Sequence, residues 1–148
     1  ERQLYWPVKA LRESVSEPEF AAKMNEVLMD HWENPPASSD PTTQLIRLLE
    51  GARTTELVDT IRLFLEDQAD DVRLAALDYL FTQNEDEIRE MILKCYLDSE
   101  ERPRVRGHIL SGFVEHSWSV KGFRVKVEET LPDGYKLTRD GLVKTVGN

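Results

Sequence analysis

Cysteine is nearly missing from this chain: Cys95 stands alone among 148 residues, so no disulfide can form within them. It falls in the run Met91-Ile92-Leu93-Lys94-Cys95-Tyr96-Leu97, which reads as a helix carrying a core thiol and not a reactive one. Glycine and proline, seven of each, are too few for a disordered or turn-dominated chain. Histidine is scarce too, leaving only His31, His108 and His116 for general acid–base work near neutral pH. His31 adjoins Trp32 at a predicted helix end, where the dipole favours an imidazolium and a capping role. His108 and His116 are eight residues apart on one predicted helix. At about 12 Å of rise they cannot share a metal.

Long apolar runs are absent as well. None approaches the roughly 18 residues of a membrane span, and the N-terminus lacks the basic and apolar regions of a signal peptide. The expectation is a soluble, cytoplasmic protein without membrane insertion. The chain opens at Glu1, so a leader, an anchor or another domain could precede it. No His-Glu-x-x-His, phosphate loop, nucleophile elbow or paired-cysteine motif occurs. Asp98-Ser99-Glu100-Glu101 lacks the alternating oxygens and central glycine of a calcium loop. Glu85-Asp86-Glu87 and Asp70-Asp71 sit where helix first turns attract negative charge. The reading is a non-enzyme with no cofactor and no metal.

What the chain has in quantity is charge, 32% of residues, with a net of −9. The distribution is uneven: residues 102 to 148 carry nine Lys and Arg against five Asp and Glu, a net of +4, leaving −13 for residues 1 to 101. An acidic body opposes general nucleic-acid binding, which depends on cations releasing counterions from phosphates; only the basic C-terminal region offers that route.

Apolar periodicity predicts a series of helices. Leu4 to Leu11, aromatic-rich around Pro7, reads as a short opening helix or an arm. Ser16-Glu17-Pro18-Glu19 has the form of a capping box for a helix over 17–31, with Phe20, Met24, Val27 and Leu28 as its stripe. Asn34 to Ser39 is a linker, and Asp40-Pro41 starts a helix to about 52 that Gly51 would terminate. Thr54-Thr55-Glu56 starts the next, with Leu57, Val58, Ile61, Phe64 and Leu65 facing inward. Asp70 or Asp71 can cap a helix through Phe81, in which Ala75 and Ala76 permit close helix approach. Further helices span 86–97 and 103–116.

The pairs Val72-Arg73 and Val105-Arg106 open two of these helices 33 residues apart, a period typical of stacked helical hairpins. Asp71-Val72-Arg73-Leu74-Ala75-Ala76-Leu77 resembles the second-helix signature of HEAT repeats. The resemblance covers residues 55 to 117 well and 18 to 52 weakly. In the second unit Pro103 and Arg104 replace the aspartates, and Gly107 and His108 replace Leu74 and Ala75, as in a divergent, terminal repeat. It implies an all-α fold: a short α-α superhelix of about three HEAT-like hairpins. In that family the arginine pairs with acidic residues of an adjacent loop and staples neighbouring repeats. HEAT-like proteins include scaffolds and adaptors, bilin lyase relatives and DNA glycosylases, so the resemblance allows an interaction module, a nucleic-acid or DNA-repair protein, or a bilin-lyase-like enzyme.

After Trp118 the pattern changes. Residues 118 to 131 read as a last helix, Pro132-Asp133-Gly134 as a turn, and Arg139-Asp140-Gly141 as a hairpin turn between 135–138 and 142–146. Such a hairpin would lean on the last helix and cap the stack. A helix followed by a basic hairpin also resembles half of a winged-helix unit. Trp118 and Phe123, near Lys121, Arg124 and Lys126, combine aromatic and basic groups that suit core anchoring or ligand recognition. The expectation is one domain over 1–148: an arm over 1–16, repeats over 17–117, and a helix plus β-hairpin cap over 118–148. Its partner is expected to be a protein, met through the inner face at Arg73, Asp78, Arg106, Ser111, Lys121 and Arg124.

Overall fold

A computed structural model describes residues 17–50, 55–99 and 101–146. The arm, the Ser16 cap, the Gly51 terminator and the Thr54 start lie outside the described residues. Among those described, seven α-helices precede one two-stranded antiparallel sheet, in the order expected of an all-α chain with a C-terminal hairpin. No helix is long and apolar enough to cross a membrane. Contacts group into two compact units, Glu1–Gln83 and Asn84–Asn148, each with its own core.

The first unit holds α1 (Glu17–Glu33), α2 (Asp40–Leu48), α3 (Thr55–Leu63), a 3₁₀ turn (Phe64–Glu66) and α4 (Asp70–Phe81). Its main packing joins α1 to α3 and α2 to α4, and α4 also lies against the 3₁₀ turn and α3 that precede it. Phe20, Met24 and Leu28 of α1 are buried with Leu57 and Ile61 of α3; Leu45 and Ile46 of α2 are buried, as are Leu74, Ala75, Ala76 and Leu77 of α4. The alanines carry little bulk on a helix buried on nearly all sides. Trp32 meets Phe64 edge to face, with centroids 5.3 Å apart. Neither Asp70 nor Asp71 caps α4; both lie inside its first turn, and the preceding Asp67 carboxylate accepts from the Ala69 N–H instead.

His31 departs from its expected role. It is buried on α1, with Nδ1 2.9 Å from Thr42 Oγ1 of α2. Burial lowers its pKa below the ordinary 6.5, although the Asp30 charge pulls the other way. Desolvation of the charged ring therefore outweighs the pull of Asp30. The sign for stability follows. As pH falls through 6.5 the unfolded chain takes up this proton first, so stability is full above 6.5 and falls until the folded-state pKa is passed. The slope is bounded at about 1.4 kcal/mol per pH unit for one proton. Urea midpoints measured between about pH 8 and about pH 5 should fall more steeply for the wild type than for His31→Asn. Parallel curves would reject this assignment.

The second unit holds α5 (Asp86–Asp98), α6 (Pro103–His116), α7 (Arg124–Thr130), β1 (Tyr135–Leu137) and β2 (Val143–Thr145). Here α6 packs on α5, α7 also lies on α5, and β2 lies on α6. Ile88, Ile92, Leu93 and Tyr96 of α5 are buried, with Val105, Ile109, Leu110 and Phe113 of α6, Val127 of α7 and Val143 of β2. Tyr96 Oη donates to the Thr130 carbonyl at 3.1 Å and accepts from Thr130 Oγ1, tying α5 to the end of α7.

The last helix is shorter than expected. Ser117 closes α6 in the left-handed region (φ 56°, ψ 42°), and the Trp118 N–H reaches back to the Phe113 carbonyl at 3.1 Å. The chain then runs extended: Ser119 bridges Leu142, and the Val120 N–H donates to the Gly141 carbonyl at 2.9 Å. Ser119 and Val120 have thus exchanged helical bonds for pairing with the hairpin, and a turn at Gly122 leads into the next helix. Trp118 is buried, its ring edge-on to Phe113 at 5.7 Å, as a core anchor should be.

Candidate functional site

The two repeated arginines occupy equivalent places in their units. Arg73, near the start of α4, donates from Nε to the Asp67 carbonyl just beyond the 3₁₀ turn. Arg106, near the start of α6, donates from Nε to the Tyr96 carbonyl at 3.0 Å and from Nη2 to the Leu97 carbonyl at 3.3 Å. Its guanidinium also lies 4.9 Å from the centre of the Tyr96 ring. In both cases an arginine of the second helix donates to carbonyls where the preceding helix ends, that of Tyr96 also accepting from the Ser99 N–H at 3.2 Å. The acidic loop partner implied by the HEAT resemblance is replaced by backbone.

The other expected contact residues divide in two. Asp78 of α4 accepts from Arg47 Nη1 of α2 at 2.6 Å, and that guanidinium also reaches Glu50 of the α2 end at 3.2 Å. The bond to Asp78 is the main reason that the Arg47 pKa rises above its ordinary value. Arg124, the first residue of α7, donates from Nη1 to the Thr138 carbonyl at 2.7 Å and the Arg139 carbonyl at 3.1 Å, fixing the hairpin turn. Ser111 and Lys121 are exposed. Ser111 Oγ lies 3.5 Å from Tyr135 Oη of β1, and Lys121 adjoins the segment that pairs with Leu142. Four of the six residues are therefore held by charged side-chain bonds within the chain, and the two exposed ones, Ser111 with its contact to Tyr135 and Lys121, flank the hairpin.

The hairpin is held on several sides. Its register pairs Tyr135 with Thr145, Lys136 with Lys144, and Leu137 with Val143. Gly141 closes the turn at φ 86°, where its N–H donates to Thr138. Ser119 Oγ donates to the Asp140 carbonyl at 3.1 Å and accepts from the Lys121 N–H. Val143 is buried while Lys136 and Lys144 are exposed, so the two ammonium groups stand on the outward face, directly opposite each other. Neither belongs to the ion pairs Arg47–Glu50, Arg47–Asp78 or Arg89–Asp86. Like charges opposed across strands are unfavourable by about 0.2–1 kcal/mol.

Helical phase points to the six residues above and not to this pair. The signal was present, since an Asp-Gly turn between residues 138 and 142 fixes which lysines face each other. His108 and His116 lie on α6 and His116 tilts against Trp118 at 5.7 Å. Among the described residues no three His, Cys, Asp or Glu side chains are grouped to hold a metal ion. No known protein family, curated protein or solved structure matches this chain.

Proposed function

We propose that the chain is a non-catalytic protein–protein interaction module built from HEAT-like hairpins, acting in the cytoplasm. The observation that carries this reading is the packing of the first unit, in which α1 lies on α3 and α2 on α4. Stacked hairpins pack first helix on first helix and second on second while each hairpin also closes on itself, as α4 does on the 3₁₀ turn and α3. The matched roles of Arg73 and Arg106 support the same reading, because a repeat should repeat its internal bonds. In the second unit α7 and β2 lie on α5 and α6 as a further hairpin would, with the sheet in place of a second helix.

The repeats supply rigidity, and the contacts to a partner come from exposed residues, of which Ser111 and Lys121 are the proposed members. Reversing Arg73 or Arg106 would report folding and not binding, since both hold backbone carbonyls. The test is therefore recovery of partners from the source cell, with and without nuclease, using wild type and a folded Ser111→Arg/Lys121→Glu variant. A nuclease-resistant protein lost in the variant is the expected result. Recovery that vanishes with nuclease would replace this reading by a nucleic-acid one.

A further inference from the structure

We propose that the outward face of the hairpin, formed by Lys136, Lys144 and Val146, docks an acidic polypeptide segment bearing an apolar side chain. The inference rests on the interaction-module reading in taking the occupant to be a protein. Three observations meet at this face. The first is the opposed lysine pair, whose two positive charges have no carboxylate partner among the described residues. Such a pair costs stability in the free protein, and an incoming carboxylate between the two ammonium groups would relieve that repulsion.

The second is Val146. Its N–H donates to the Gly134 carbonyl at 2.7 Å, extending the ladder by one step beyond Thr145. Strand alternation then puts it on the same side as Lys144. It is 53% exposed, one of only two large hydrophobic side chains so exposed among the described residues. The third is rigidity: Arg124, Ser119 and Gly141 fix the turn, so the face is presented without ordering a loop on binding.

Valine and charge balance together separate protein from nucleic acid. A phosphate backbone offers nothing apolar to Val146. It also needs a row of cations, whereas exposed Lys121, Lys126 and Arg139 are interspersed with exposed Glu128, Glu129, Asp133 and Asp140. A short acidic segment needs only the two lysines and one apolar contact, and the chain's net charge of −9 repels it less than a polyphosphate.

The experiment selects a displayed random-peptide library on the whole chain, then measures selected peptides by fluorescence anisotropy. Peptides rich in Asp and Glu with one large apolar residue are expected. Lys136→Glu/Lys144→Glu, which keeps a like-charge pair, should bind them at least about tenfold more weakly, and Val146→Asp should weaken them too. Lys144→Glu alone should lose binding while raising the melting temperature, because it turns a repelling pair into an attracting one. Selected peptides without acidic enrichment, or acidic ones that bind the double variant equally well, would overturn the inference and leave the module reading standing. An empty selection overturns it as well, and partner recovery by the Ser111/Lys121 route then decides the module reading separately. A short DNA duplex that binds more tightly than any peptide, and is lost in the double variant, would overturn the polypeptide assignment.

Discussion

Arg106→Ala should lower the unfolding free energy by about 2–3 kcal/mol, with Arg73→Ala losing about half as much. Arg106 donates to two carbonyls and stacks on the Tyr96 ring, while Arg73 has one such carbonyl bond. Charge-assisted bonds are each worth about 1.5–3 kcal/mol when buried, and half-exposure at a helix end reduces that, since water can take the freed carbonyls. The ring contact adds about 0.5–1 kcal/mol. Arg106→Lys should give an intermediate loss, because a single ammonium cannot reproduce the two-pronged geometry. Urea denaturation followed by the far-ultraviolet circular dichroism of the helices measures all three. An Arg106→Ala loss of under about 0.5 kcal/mol, the range of ordinary surface changes, would mean that the bonds contribute nothing net.

Gly141→Ala is the second large effect, at about 2–4 kcal/mol. The residue sits at φ 86°, where an L side chain costs about 1–2 kcal/mol. An added Cβ would also lie 2.8 Å from Ser119 Oγ. That hydroxyl bonds both Asp140 and Lys121, so moving it disturbs the junction between residues 119–121 and the turn. Gly134→Ala provides the comparison: φ is 99° but nothing lies within 4 Å of its added Cβ, so only the backbone term remains. Adding Ser119→Ala to Gly141→Ala should recover the steric part alone. Equal losses for Gly134→Ala and Gly141→Ala would show that the close approach has no energetic weight.

Much of this architecture was legible because it follows from local patterns. The stripes Phe20-Met24-Leu28 and Leu57-Ile61-Phe64 face inward as their spacing requires, and Asp140-Gly141 turns the hairpin where the dipeptide says it should. The misreadings came from competition between local and distant partners. Trp118 to Phe123 carries no proline, and the left-handed Ser117 and Gly122 together with the bonds to Gly141 and Leu142 keep it out of a helix. His31 looked like a helix-end cation because its burial against Thr42 depends on how α2 packs. For the contact residues, helical phase located Arg73, Asp78, Arg106 and Arg124 but could not say whether each was already engaged. Arg106 and Arg124 point to carbonyls, which leave no trace in the identity of the residues that carry them.

The bridge between Ser119 and Leu142 also sets an order of events in time. Helices α5 and α6 close through contacts near in sequence, and so can form as soon as they leave the ribosome. The extended stretch after α6 must wait for a partner more than twenty residues downstream. Until then the side of α6 that receives Val143 is uncovered, and this is the interval in which a nascent chain is most exposed to aggregation. Synthesis of the final strand ends that interval.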